Sequence, residues 1–264
     1  MPAAPLLVTC DDLGYHPAIN AAIVEILAQG IVRSASLMPA GPHFDDAVDR
    51  LRAAGLSQVG VHLALGSEYA RLPIAPLSPP DRVASLVDTE GRFHRDLSVH
   101  RDGVRHDEVE VELRAQLDRA RRTGLRLTHL DGHMFCYEPE VGGPAALAAA
   151  TALADEHRLP MRRRLPGAGR PAVHMLWAEH NDIEARCAHY AAFLSAYRGP
   201  LAELIIHPGR DLAAMQAFSS TAQRRLADYQ FFAGDDFPAL LRARDIEVIG
   251  WAEVAATAPA CASC

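Results

Sequence analysis

Short apolar runs alternate with amphipathic helical patterns along almost the whole chain. A short apolar run indicates a buried strand, and apolar residues spaced three or four apart indicate the buried face of a helix. The predicted strands are LLVTC (6–10), VRSASLM (32–38), QVGVHLAL (58–65), LRLTHL (125–130), PMRRR (160–164), LAELIIH (201–207) and IEVIGW (246–251). Most of the segments between them carry helical patterns, at 17–30, 43–54, 106–123, 143–158, 182–197 and 219–243.

Repeated strand–helix alternation predicts a parallel sheet with helices packed outside it, and hence an α/β fold. About seven such units in one chain favour a single domain with a distorted (β/α) TIM-like barrel of about seven parallel strands. An open doubly wound sheet stays an alternative, although the first turn lacks the G-x-G-x-x-G of a dinucleotide-binding fold. We expect the domain at 1–257, with a long loop excursion over the top of the barrel at 66–105 and a C-terminal tail at 258–264.

Composition and charge exclude several classes of function. The 264 residues are 49% hydrophobic and 22% charged, as in ordinary globular proteins. The formal net charge is -7 and the basic residues are scattered, so we expect no nucleic-acid partner. No apolar run reaches the roughly 18 residues of a membrane span, and the N-terminus lacks the basic region of a signal peptide.

The cysteines point to a reducing compartment. There are five, an odd number without the spacing of a disulfide framework, so we expect a cytoplasmic protein. Cys261 and Cys264 form a C-x-x-C, which supplies only two of the four ligands of a structural zinc site. We interpret this pair as part of a tail.

Acidic and imidazole side chains mark the carboxyl ends of four predicted strands. They are Asp11 and Asp12 after the first strand, His62 in the third, His129, Asp131 and His133 in HLDGH, and His207 before Pro-Gly. The active site of a (β/α) barrel lies at the carboxyl ends of its strands, so we expect these side chains to converge. Together they offer enough ligands and acids for a metal-dependent hydrolase.

Each of these signals also has a purely structural explanation. The aspartates fit a helix cap with a solvated neighbour, and a single histidine in an apolar strand is usually packed in the core. However, alternation places His62 between Gly60 and Ala64 on one face of its strand, where small neighbours leave room around the imidazole. HLDGH contains Asp-Gly, which breaks a helix, so we expect a strand end with one histidine presented and the other behind it.

The motifs TCDDLG, SASLM, GVHLAL, THLDGH and IIHPG follow one another in this order along the chain. With this set, from residue 6 to about residue 252, the chain resembles the YdjC-like carbohydrate deacetylases, also called the ChbG/HpnK family. The resemblance implies a (β/α) barrel-like fold and one divalent metal ion. It also implies hydrolysis of an N-acetyl group, often on an acetylated amino sugar such as a chitooligosaccharide. A homodimer is compatible with the resemblance.

The resemblance also assigns roles to individual residues. The implied metal ligands are Asp12, His62 and His133. Asp11 would be the general base, His207 the general acid, and Arg162 of PMRRR would lie near the base. One aspartate would then bind the cation while its neighbour takes a proton from the bound water. Such a ligand set suits zinc, but also Mn, Co, Ni or Mg, so the identity of the ion stays open.

The chain departs from the family pattern around the substrate. Met134 and Phe135 follow HLDGH, where the family usually has further histidines, and Arg210 and Asp211 follow HPG. The substrate therefore stays open between an acetylated amino sugar and another acetylated amine, such as a natural-product intermediate. The further residues that we expect to bind the substrate are Tyr15, Phe135, Tyr137, Trp177 and Arg170. Aromatic faces stack on sugars and arginine binds carboxylate or phosphate, but packing under loops would explain the aromatic residues equally well.

Two other functions compete with deacetylation. A different metal-dependent amide hydrolase or phosphoesterase is disfavoured, because the first strand lacks H-x-H and the chain has no Gly-rich phosphate loop. A binding module that has lost catalysis is disfavoured because the aspartate pair and the three histidines are intact. The segment YQFFAGDDF (229–237) fits either a core helix or an interface, so it leaves the oligomeric state open.

Overall fold

A computed structural model describes residues 4–162, 172–175, 183–198 and 201–257 of the chain. Arg170 and Trp177, which we expected to bind the substrate, lie outside the described residues. The same holds for the tail at 258–264 with its two cysteines.

The described strands form one parallel sheet. They are β1 Ala4–Leu13, β2 Ser34–Leu37, β3 Gln58–Leu63, β4 Arg126–Gly132, β5 Ala172–Met175, β6 Ala202–Ile206 and β7 Ile246–Ile249. The order across the sheet is β4-β3-β2-β1-β6-β5, and β7 also pairs with β1. Residues 4–7 of β1 pair with β7 and residues 9–13 pair with β2, on the edge opposite β6. The long first strand therefore lies at the centre and contacts three neighbours.

The parallel α/β fold is confirmed, whereas a closed seven-stranded barrel is not. β4 and β5 end the sheet order, and no strand pairing joins them within the described residues. Of the segment PMRRR, which we expected as a strand, the structure describes residues 160–162, and Met161 forms an isolated parallel bridge with Leu130. The Arg162 side chain pairs with the buried carboxylates of Asp11, Asp131 and Glu203. β5 does not correspond to any predicted strand.

Helices connect the strands as the sequence predicts. They are α1 Pro17–Ala28, α2 Phe44–Ala53, α3 His100–Gly103, α4 His106–Arg122, α5 Pro139–His157, α6 Ile183–Ala196, α7 Leu212–Gln216, α8 Ala222–Ala233, α9 Asp236–Arg244 and α10 Trp251–Thr257. The helix expected at 219–243 is two helices, because the chain is extended at Gly234. Phe231 and Phe232 are buried, so YQFFAGDDF contributes to the core. Within the described chain, none of the helices has the length and apolar character needed to span a membrane.

The segment 66–105 is bonded to α4. It contains the short 3-10 helices Pro80–Arg82, Ala84–Leu86 and Leu97–Val99 as well as α3. The buried carboxylate of Glu112 accepts the backbone N–H groups of Leu77 and Ser78 at 3.0 and 2.9 Å. These bonds hold the loop in place although it has little regular structure. Its first residues reach the site described below.

Candidate metal centre and active site

The aspartate pair lies at the carboxyl end of β1, where the chain turns toward α1. Asp12 has φ +71°, in the left-handed region that non-glycine residues rarely adopt. Such strain costs free energy and is concentrated at functional sites. The buried Asn20 of α1 supports the turn, because its Oδ1 accepts the Gly14 N–H at 2.6 Å. The two neighbouring carboxylates consequently have different surroundings.

Asp12, His62 and His133 form a compact group of possible metal ligands. The Oδ1 atom of Asp12 lies 3.3 Å from His62 Nε2 and 3.1 Å from His133 Nδ1. All three side chains are buried, and one ligand atom from each lies within 4.8 Å of the others. One carboxylate oxygen and two imidazole nitrogens are a donor set that zinc and other divalent transition ions accept. The residues present therefore fit a divalent ion.

A second group with suitable spacing consists of Asp11, His62 and Asp131. Its carboxylates are already paired with a cation, since Arg162 contacts Asp11 twice at 2.7 Å and Asp131 at 2.9 Å. The guanidinium thus compensates the charge that an ion would compensate. The group around Asp12 is the better candidate for a metal site.

Asp131 orients the His62 imidazole by contacting the ring nitrogen that does not face Asp12. His62 Nδ1 lies 2.7 Å from Asp131 Oδ1, so the opposite nitrogen faces Asp12. A carboxylate behind a ligating histidine fixes its tautomer and ring orientation. Burial alone would lower the pKa of His62, but Asp131 and Asp11 raise it to about 10. In the absence of an ion the imidazole is therefore protonated near neutral pH.

The HLDGH segment has the geometry that its sequence predicts. His133 begins a single 3-10 turn after β4 and faces the site, while His129 is completely buried behind it. The His129 ring stacks on Trp251, with centroids 4.5 Å apart and an interplanar angle of 12°. Gly60 makes room for this ring, because a Cβ at that position would lie 2.1 Å from His129 Cε1. The small residue beside His62 therefore accommodates the second histidine.

Asp11 is held in place by a network of buried side chains. In addition to its two bonds from Arg162, its Oδ1 atom accepts a hydrogen bond from Ser36 at 3.2 Å. Glu203 contacts the Nε edge of the same guanidinium at 3.1 and 3.2 Å and itself accepts from Thr9. Arg162 therefore lies beside Asp11, as the resemblance implies, although its segment is not a regular strand.

His207 directly follows β6 and lines the same cavity. Its backbone N–H donates to Asp228 Oδ2 at 2.9 Å, and Asp228 also accepts from Tyr190 and Arg186. Burial lowers the pKa of the His207 imidazole, and nearby Asp12 and Asp11 offset part of this effect. The implied role as general acid requires the protonated form, which burial disfavours and the two aspartates favour.

A cavity of about 350 Å³ brings most of these residues together. The lining residues expected from the sequence are Asp11, Asp12, His62, His133, His207, Arg162 and Phe135. Other lining residues, to which the sequence did not point as candidates, are Glu68, Arg186, Thr221, Arg224, Arg225 and Asp228. Small-molecule sites usually have volumes of about 300 to 1,000 Å³, so the cavity suits a small substrate.

Tyr15 and Tyr137 are not among the described residues that line this cavity, and their expected role in substrate binding stays a prediction. Tyr15 is fully buried, donates to the Leu72 carbonyl at 3.3 Å and packs its ring 5.6 Å from that of His133. Tyr137 is 2% exposed and packs beneath Gly132. In this structure both rings pack against residues that shape the site, Tyr15 against His133 and Tyr137 against Gly132.

Arg225 of α8 is the main contact that the sequence does not reveal. Its Nη2 atom lies 2.6 Å from Asp12 Oδ2 and 3.1 Å from the Tyr69 hydroxyl. Burial alone would raise the pKa of Asp12, but Arg225 and the hydrogen bonds from His133 and His62 hold it well below its usual value. The one sequence feature that could have pointed to Arg225 is its spacing of three positions from Asp228. This spacing places both residues on one face of α8, which is buried.

Several proteins named carbohydrate deacetylase are similar to this chain in sequence. The carbohydrate deacetylase of Brevibacillus brevis is 39% identical over 157 residues, which cover 60% of this chain and 58% of that protein. The carbohydrate deacetylase of Enterococcus faecalis is 34% identical over 158 residues, or 60% of this chain and 57% of the relative. The chain thus aligns with about three-fifths of these relatives. A carbohydrate deacetylase of Geobacillus stearothermophilus is 28% identical over 253 residues, 94% of this chain and 96% of the relative.

Solved structures show the same fold. A cellobiose-phosphate cleavage protein from Enterococcus faecalis V583 superposes with a TM-score of 0.78 at 24% identity, covering 96% of this chain and 99% of that one. The chitin deacetylase of Colletotrichum lindemuthianum gives a TM-score of 0.52 at 12% identity, with coverage of 98% and 90%. The family model described as YdjC-like protein matches residues 5–243. This chain belongs to the YdjC-like protein family.

Proposed function

We propose that this chain is a metal-dependent N-deacetylase. Its substrate is an acetylated amino sugar or a related acetylated amine, and its products are acetate and the free amine. The observation that carries this proposal is the position of Asp11 directly beside the group of Asp12, His62 and His133, inside one cavity. The names of the curated relatives, carbohydrate deacetylases, support the same reaction.

Asp12, His62 and His133 would hold one divalent ion, which could be Zn, Mg, Mn, Co or Ni. When bound, such an ion acidifies a water molecule and polarises the carbonyl group of the substrate. The protein contributes the orientation of the ligands, through Asp131 behind His62 and Arg225 beside Asp12.

Asp11 is placed to act as the general base. It takes a proton from the attacking water, whose oxygen forms a bond to the acetamide carbon. Arg162 and Ser36 hold the Asp11 carboxylate in one orientation, so little reorganisation is needed for proton transfer. Glu203 and Asp131 compensate the guanidinium charge of Arg162 from its other edges.

His207, which lines the same cavity, acts as the general acid once it is protonated. An amine leaves only when its nitrogen is protonated, so a proton from the imidazole accompanies cleavage of the C–N bond. The bond from its backbone to Asp228 fixes the start of the turn that carries it. Met134 and Phe135 provide an apolar section of the wall, against which the substrate can pack.

Acetate release is the experiment that tests this proposal. Purified protein is incubated with N-acetylglucosamine, diacetylchitobiose, acetylated aminoglycoside-type sugars and N-acetyl amino acids, each with and without prior removal of metal. Metal-dependent acetate from one of these substrates is the expected result. Phosphate release from phosphorylated sugars without any acetate would instead favour a phosphoesterase. A tightly bound acetylated sugar that stays intact in the presence of metal would favour a binding protein.

A further inference from the structure

The two carboxylate oxygens of Asp12 face different partners. Oδ1 lies beside the nitrogens of His62 and His133, whereas Oδ2 lies 2.6 Å from Nη2 of Arg225. The Asp12 and Arg225 side chains are 1% and 3% exposed, so water does not screen their interaction. A carboxylate can bind a metal ion with one oxygen or with both, and the second mode fills one more coordination position.

We propose that Arg225 is a positioning residue that keeps Asp12 a one-oxygen ligand and leaves a coordination position of the ion open. This inference rests on the proposed metal-dependent function. With Oδ2 held by the guanidinium, only Oδ1 is available beside the two histidines. Catalytic metal centres typically have three protein ligands and an open position for water or substrate. Arg225 therefore keeps the centre in its reactive form.

The incomplete pairing of Arg225 distinguishes it from a purely structural arginine. Its Nε and Nη1 atoms are buried and have no hydrogen-bond partner among the described residues. Unsatisfied buried donors cost stability, so their presence calls for a functional explanation. Arg162, by contrast, uses Nε, Nη1 and Nη2 to contact carboxylates. The hydrogen bonds of the Arg225 side chain to Asp12 and Tyr69 both come from Nη2.

Tyr69 links this contact to the excursion at 66–105. Its hydroxyl lies 3.1 Å from Arg225 Nη2 and 3.0 Å from Oγ1 of Thr221, the residue that precedes α8. The loop therefore holds the guanidinium at the angle that reaches Asp12. Removing the Tyr69 hydroxyl is expected to change the centre in the same direction as removing Arg225, but less.

The positive charge of Arg225 leads to an expected change in metal affinity that simple loss of structure would not produce. A guanidinium beside a ligand repels a divalent cation and competes with it for the carboxylate. Without Arg225, Asp12 gains a free second oxygen, and the ion no longer has a positively charged neighbour that repels it. The ion is then expected to bind more tightly while turnover falls, because the open position is filled.

The test uses the full chain loaded with Co²⁺, whose visible bands are intense in four-coordinate sites and weaken as coordination number rises. Wild type is compared with Arg225→Met, Arg225→Lys and Tyr69→Phe. Arg210→Met, which breaks an exposed ion pair with Glu25, is the control. For Arg225→Met we expect weaker bands, an approximately tenfold lower Kd for Co²⁺ and kcat reduced by about 10- to 100-fold. Arg225→Lys restores part of the wild-type spectrum, and Arg210→Met leaves the spectrum and Kd unchanged.

Two results would overturn the inference alone: an unchanged Co²⁺ spectrum in Arg225→Met, or weaker Co²⁺ binding together with a lower Tm. In either case a wild-type protein that binds Co²⁺ and releases acetate would keep the proposed function. A wild-type protein that binds no Co²⁺ would overturn the metal centre and this inference together. If Arg225→Met does not fold, Tyr69→Phe carries the test, and an unchanged Co²⁺ spectrum and Kd in Tyr69→Phe would overturn the inference.

Discussion

The buried negative charges of Asp11 and Asp12 are compensated in two different ways. Two adjacent carboxylates away from water are unstable unless each has a cationic partner. Asp11 is paired with Arg162 through both of its oxygens, whereas Asp12 shares one oxygen with Arg225 and turns the other to two histidines. The left-handed backbone at Asp12 accompanies this separation. One carboxylate is thus available as a base and the other as a ligand.

Asp11→Asn is therefore expected to separate catalysis from metal binding. An amide cannot take the proton from water, so kcat for acetate release should fall by about 10²- to 10⁴-fold. Bound metal, measured by atomic absorption, should stay at the wild-type level because Asp12, His62 and His133 are intact. Asp12→Asn is the matched control and should lose metal as well as activity. An Asp11→Asn enzyme with wild-type kcat would remove Asp11 from the role of base.

At the scale of elements, β3 and β4 present the histidines because their pairing leaves space for both rings. His62 pairs in register with Asp131, which brings the carboxylate behind the imidazole. Gly60, two residues before His62, lies against the ring of His129. The pairing of β3 with β4 thus requires a residue without a side chain at position 60.

Gly60→Ala is expected to destabilise the fold by overpacking. The new methyl group would lie 2.1 Å from His129, a ring already held between Gly60 and Trp251. Such overpacking typically costs about 1–3 kcal/mol, measured as the loss of unfolding free energy in urea. Gly103→Ala is the control, because a Cβ there meets nothing within 4 Å. Equal unfolding free energies for the two variants would contradict this packing.

At the scale of the whole molecule, the candidate metal centre connects parts of the chain that are far apart in sequence. Asp12 ends β1, His62 belongs to β3 and His133 follows β4. An ion that binds only when these elements are assembled stabilises the folded state by linkage. Binding of the ion also releases a proton, because His62 has a pKa of about 10 and its imidazole must lose that proton to bind the ion.

Metal should therefore raise Tm, and the rise should grow with pH. At an ion concentration of about 100 Kd the folded state gains about 2.7 kcal/mol. Between pH 6 and 8 the proton on His62 competes with the ion, so a fixed metal concentration should give a larger increase in Tm at pH 8. Thermal unfolding with Zn²⁺ or Co²⁺ against chelator measures this, with Asp12→Asn as the variant that lacks a ligand. An increase in Tm that is the same at both pH values would contradict proton release from His62.

Local patterns alone determined much of this protein. Apolar runs and helical spacing locate six of the described strands and most helices, since both signals arise from neighbouring residues. Parallel strands align their carboxyl ends, so polar residues at those ends predicted the meeting of Asp11, Asp12, His62, His133 and His207. The presentation of His133 in front of His129 also follows from a short motif.

Only the tertiary structure decided the rest, because burial and long-range pairing depend on distant parts of the chain. Tyr15, which the sequence predicts to bind the substrate, is fully buried against Tyr69 and His133. The Arg162 side chain pairs with three carboxylates that come from other elements, a set of partners that local sequence does not reveal. Arg225, far along the chain from Asp12, resembles an ordinary solvated helix residue until folding brings them together. The residue types and their local spacing determined which ligands, acids and bases the chain offers. The packing of distant elements determined which of these side chains form ion pairs with one another.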